Sequence, residues 1–136
     1  MMRAQYLDPL QVEPVGPNLW KLLHEFRFIS ARHPSEIIVD AGFVTDFESV
    51  PEALPTVRGL LYGYANGPAV LHDWLYRMKL WHRADADDLF LEALETEATH
   101  APDGTLIGWP RPAWWRRRAF YAGVRAGGWV AWARDG

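Results

Sequence analysis

His72 and Asp87 are the residues whose types and spacing point to chemistry. A neutral imidazole, with an unperturbed pKa of about 6.5, accepts a proton at neutral pH. A carboxylate on its other nitrogen fixes the tautomer and stabilises the imidazolium that forms. Both residues fall in GPAVLHDWLYRMKLWHRADADDLFLEAL, residues 67–94, which reads as two helices joined by a short basic turn. The pair also has a packing reading. There His72 caps an aromatic cluster with Trp74, Tyr76 and Trp81, while Asp87 favours the positive end of its helix.

The elements that must position this pair follow from periodicity and caps. Pro68 suits a first helical turn and Asn66 can cap it. Leu71, Leu75 and Met78 then recur at helical spacing, predicting a helix over about 68–81. A second helix is predicted over about 86–98, starting near Asp85 with Asp88 as an acidic capping-box partner. Its apolar face would hold Ala84, Asp87, Leu91, Leu94 and Ala98, with Asp88, Glu92 and Glu95 on a wet face. Pro112 predicts a third helix, over about 112–126, ended by Gly127 and Gly128.

Upstream, residues 1–19 read as a loop or edge strand spaced by Pro9, Pro14 and Pro17. Residues 20–29 alternate, with Trp20, Leu22, His24, Phe26 and Phe28 sharing one face. Residues 36–44 place Ile37, Val39, Ala41 and Phe43 on one side. Together they predict a hairpin over about 20–44. Pro102, Asp103 and Gly104 predict a turn within a loop before the third helix. The expected class is α+β, a small antiparallel sheet packed by three helices in a single domain, 1–136.

Composition bounds the function. The 136 residues are 49% hydrophobic and 23% charged, with eight tryptophans and no cysteine. Absence of cysteine excludes a disulfide framework and any thiolate ligand or nucleophile. The net charge of −3 is uneven. Residues 1–100 carry 15 acids against 8 Lys/Arg, net −7, and residues 101–136 carry 2 acids against 6 Arg, net +4. The negative total disfavours nucleic acid as a partner. No apolar run reaches the roughly 18–20 residues of a spanning helix, and no signal-peptide core is visible at the start.

RPAWWRRRAF, residues 111–120, interleaves arginine with tryptophan. Such a patch can contact phosphates or lipid headgroups. Its competing reading turns Trp115, Ala119 and Ala122 to the core and Arg116 and Arg117 to water. Arg118 and Arg125 would then pair with acids of the first hundred residues. In TDFESVP, residues 45–51, Asp46 and Ser49 either support the site or satisfy their own backbone in a turn. His82 is expected in a solvated turn, and His24, His33 and His100 have no useful spacing. Zinc would need three or four ligands.

The run DAGFVTDFESVP, residues 40–51, followed by AVLHDWLYR (69–77) and ADDLFLEAL (86–94), resembles the DUF1353 family. That family, of unknown function, occurs mainly in tailed phages and prophages. The resemblance implies a virion or host-cytoplasm location and other phage structural proteins as partners. HDWLY followed by ADDLF also resembles the HD-x-x-Y and AD-x-x-F segments of phospholipase A2. That resemblance implies His72 as general base, Asp73 as a Ca²⁺ ligand, Asp87 as the group orienting the imidazole, Tyr76 as a support, and host lipid as substrate. Two expectations result: a tail-associated phage protein with a His–Asp hydrolytic site, or a purely structural component of the particle.

Overall fold

A computed structural model describes residues 3–17, 19–33, 36–46 and 64–134, with side chains except at 128–131 and 134. Ser49 lies outside these residues. The fold is α+β, with three helices and three small antiparallel sheets among the described residues.

The first sheet has the order β1 (Gln5–Tyr6), β4 (Phe26–Ile29), β5 (Glu36–Val39). The second has the order β2 (Val12–Gly16), β3 (Leu19–Leu22), β6 (Val44–Thr45). A third pairs β7 (Thr99–His100) with β8 (Leu106–Ile107). The expected hairpin is therefore divided. β4 and β5 do pair, Phe26 opposite Val39 and Phe28 opposite Ile37, but β3 and β6 belong to the second sheet. The chain bends at Leu23, His24 and Glu25, all exposed. Leu22, Phe26 and Phe28 keep even numbering across the bend and all face the core, so the alternation looks like one strand. His24 and Ala41, expected on the inner face, point to solvent.

Tyr6 joins sheet to helix. Its ring lies edge-on to Phe28 at 5.0 Å, and its buried hydroxyl donates to the Ala93 carbonyl at 2.8 Å. Gly108, after β8, runs against that ring with φ at +94°. A Cβ there would sit 2.3 Å from Tyr6 Cγ, on a backbone that L side chains rarely adopt. Gly104, the last residue of the predicted turn, has φ at +92° with nothing within 4 Å of such a Cβ. Gly104→Ala should therefore cost the backbone strain alone, about 1–2 kcal/mol, and Gly108→Ala about 2–4 kcal/mol through the added clash. Urea denaturation of both variants measures the difference; equal losses would mean that Tyr6 yields freely.

The helices are α1 (Asn66–Met78), α2 (Arg83–Glu95) and α3 (Trp114–Arg134). Neither predicted cap forms: Ala65 and His82 occupy the N-cap positions, without side-chain bonds. α1 stops three residues short of expectation because Lys79 takes the left-handed conformation, φ 54°, and its N–H bonds the Leu75 carbonyl. That conformation is unfavourable for a residue with a Cβ. Lys79 Nζ offsets it by donating to the carbonyls of Tyr76 (3.0 Å) and Trp132 (2.6 Å).

α2 packs between α1 and α3, so two of its sides are covered. Its buried residues are Ala86, Asp87, Leu89, Phe90, Glu92, Ala93 and Leu94. The expected stripe was rotated: Ala84 is exposed and Leu91 and Ala98 are half-buried. Small and apolar residues surround this helix, so a single periodic face could not be read from them. α3 does not end at Gly127–Gly128 but continues to Arg134. Glycine weakens a helix by about 1 kcal/mol per residue, and here tertiary contacts prevail. Arg83 donates to the carbonyls of Val124 and Arg125, Lys79 to that of Trp132, and Trp132 packs edge-on against Tyr76 at 5.1 Å.

Candidate functional site

His72 and Tyr76 lie one turn apart on α1, in the row that faces α2. From α2, Asp87 presents a carboxylate with no exposed surface. His72 Nε2 lies 2.7 Å from Asp87 Oδ1, and the Tyr76 hydroxyl donates to the same oxygen. From α3, Arg125 Nη1 donates to Asp87 Oδ2 at 2.7 Å. Arg83 Nε stands 3.8 Å from Oδ2. Donors from two helices and a second cation on its own helix thus converge on one buried carboxylate.

The electrostatics fix the proton positions. Burial pushes the Asp87 carboxyl up, but the hydrogen bonds from His72 and Tyr76, with Arg125 behind them, hold it below its ordinary range. Burial pushes the His72 imidazole down and outweighs the upward pull of Asp87; the Arg83 charge lowers it further. Burial, then the bond to Asp87, raises the Tyr76 hydroxyl, which stays protonated. At neutral pH the carboxylate is ionised and the imidazole neutral. A carboxylate only accepts, so Nε2 carries the hydrogen and Nδ1 the lone pair.

His72 and Asp87 are therefore brought together as their spacing suggested, and Tyr76 joins them as the phospholipase A2 resemblance implied. His72 is 6% exposed, with the Phe90 ring 5.0 Å from its own. One Asp73 carboxylate oxygen lies 3.4 Å from Arg77 Nε, one turn on. Asp46 is half-buried just after β6. Arg77 donates to the Val44 carbonyl, bringing the end of β6 against this part of α1. Calcium takes six to eight oxygen ligands. Among the described residues no three His, Asp or Glu side chains group to hold a metal, and Asp73 sits beside a cation.

Two features of this region were not legible as such. Arg125 was expected to meet some acid of the first hundred residues; its partner is Asp87, 38 positions away. Glu92, expected on the wet face, is buried and bonds Ser30 and the backbone after it. Helical periodicity carries no signal for either contact.

In the arginine–tryptophan segment Ala119 packs against the core as expected, and the other residues differ from expectation. Phe120 and Val124 face the core, whereas Trp114 is 63% and Trp115 42% exposed, and Ala122 faces solvent. Arg116 lies between the rings of Tyr64 (3.7 Å) and Trp115 (4.3 Å) instead of extending into water. Arg118 stands over Trp114 at 5.5 Å. No helix among the described residues is long and apolar enough to cross a membrane.

No curated protein and no solved structure matches this chain. The family model of DUF1353, described as a protein of unknown function, matches residues 20–109, from β3 to just past β8. That span holds His72, Tyr76 and Asp87 and takes in two thirds of the sequence, so the chain belongs to the DUF1353 family.

Proposed function

We propose that this protein is a component of a tailed-phage particle carrying a hydrolytic site, in which His72 is the general base and Asp87 its orienting carboxylate. The observation that carries the reading is the 2.7 Å contact between His72 Nε2 and a fully buried, ionised Asp87. With Nε2–H given to Asp87, the Nδ1 lone pair takes a proton from water as its oxygen attacks an ester carbonyl. Asp87 stabilises the imidazolium that results, and Tyr76 holds the same oxygen in place. The phage setting rests on the distribution of the family, and an ester of lipid on the HDWLY and ADDLF segments.

The test is hydrolysis of phospholipid vesicles and a soluble fluorogenic ester by purified protein, with calcium and with chelator, beside His72→Ala. Wild-type turnover should fall about 10²–10⁴-fold in the variant, the usual contribution of a positioned base. An inactive wild type, or an equally active His72→Ala, would sink the reading. A loss on chelation that Asp73→Asn reproduces would bring calcium back into it.

A purely structural role has its own observation. Trp114, Trp115 and Tyr64 are exposed together, with Arg116 held between two of them. Exposed aromatic and arginine side chains in one patch are the composition of protein-docking centres. On that reading the Asp87 cluster fastens the three helices, and the patch meets a neighbour in the particle.

A further inference from the structure

The carboxylate of Asp87 has two ends with different duties. Oδ1 faces α1 and receives both His72 and Tyr76. Oδ2 faces α3 and receives Arg125 Nη1 at 2.7 Å. We propose that Arg125 is a positioning residue of the His72–Asp87 pair, holding Oδ2 from α3 so that Oδ1 stays turned to the imidazole. The inference rests on the proposed role of His72 and adds a residue beyond the stretch matched to the family.

The geometry separates Arg125 from its neighbour Arg83. Arg83 Nε stands 3.8 Å from Oδ2, outside hydrogen-bond distance. Its Nη2 is committed to the backbone of α3, at the carbonyls of Val124 (3.0 Å) and Arg125 (2.8 Å). Arg83 thus fixes the place from which Arg125 reaches, and Arg125 makes the direct bond. A carboxylate turns readily about its Cβ–Cγ bond unless both oxygens are held. With Oδ2 pinned to an arginine that cannot lose its proton, Oδ1 has one orientation and one role. The Arg125 side chain is 40% exposed while that of Asp87 is 0% exposed. The cation keeps contact with water and still compensates a charge that has none.

A strut between α2 and α3 would use the same bond, so the test reads the imidazole itself. Proton NMR of wild-type protein should show a far-downfield His72 Nε2–H signal, slowed in exchange and assigned by its absence in His72→Gln. In Arg125→Met that signal should be lost, and Arg125→Lys should restore it while the fold, judged by amide spectra, is intact in both. Arg125→Gln, whose amide ends two bonds short of the Nη1 position and so leaves Oδ2 without its donor, replaces the methionine variant should that one not fold; it too should lose the signal. An unchanged Nε2–H signal in a folded Arg125→Met or Arg125→Gln overturns the proposal and leaves Arg125 a strut. The readout needs no substrate, so absent hydrolysis would count against the catalytic role of His72 while the NMR result still decides the positioning role.

Discussion

Asp87→Ala should cost this protein about 3–5 kcal/mol, a large share of a small domain's stability. The side chain removed has no exposed surface and is bonded by His72 and Tyr76 from α1 and by Arg125 from α3. The substitution strands these donors around a cavity that alanine cannot fill, with a guanidinium pointing into it. Removing the shared acceptor is far costlier than replacing the whole set by apolar residues, because the buried donors of His72 and Tyr76 are left unpaired. Asp87→Asn should cost less, since one amide oxygen still accepts. Urea denaturation at neutral pH measures both; an alanine variant within about 1 kcal/mol of wild type would mean that the helices are held by apolar packing alone.

The same cluster sets a direction for pH dependence. The folded-state pKa of His72 is depressed below its ordinary 6.5. The unfolded chain therefore binds the proton first, and stability is full above about 6.5 and falls as pH drops below it. Asp87 is depressed below its ordinary 3.8, so its contribution is intact above about 4 and lost as pH falls through the lower folded value. Both groups weaken the fold in acid, His72 first. In His72→Gln the first loss, which begins below about pH 6.5, should be reduced while the lower one remains.

What could be read in advance divides along physical lines. The His72–Asp87 contact was legible because helical spacing places both side chains on facing helices, and Tyr76 follows one turn after His72. The break at Leu23 to Glu25 was not legible, because a bend that preserves parity leaves alternation intact. The length of α3 was hidden for another reason. Gly127 and Gly128 end helices in isolation, and contacts with residues more than forty positions upstream, Tyr76, Lys79 and Arg83 among them, hold this one together. Arg125 and Glu92 illustrate the general limit. An ionic side chain reads as surface until the structure shows which donors meet it.

Glu92→Ala is the second large loss, about 3 kcal/mol, and it tests whether the buried face of α2 organises the sheet as well as the helices. Glu92 Oε1 accepts from the Ser30 hydroxyl at 2.5 Å, and Oε2 from the N–H groups of Ala31 (2.9 Å) and Arg32 (3.1 Å). The Ser30 oxygen in turn accepts from the His33 N–H at 2.8 Å. One carboxylate therefore shapes the chain leaving β4 toward β5. Around it, Arg32 bonds Asp88 and Glu95 at the surface, and His33 bonds Asp88 and stacks near Trp81. Those outer contacts are solvent-screened and contribute little each. Glu95→Ala, from the same helix and 44% exposed, should thus change stability by less than about 1 kcal/mol. Glu92→Gln should lie between, since its oxygen can serve the two N–H groups while its amide donates to Ser30. Amide hydrogen exchange at Ala31, Arg32 and His33 gives the local readout: protection should collapse in Glu92→Ala and persist in Glu95→Ala. Equal stability and equal protection in the two alanine variants would show that the β4–β5 connection is shaped by its own sequence, with Glu92 only a tolerated guest in the core.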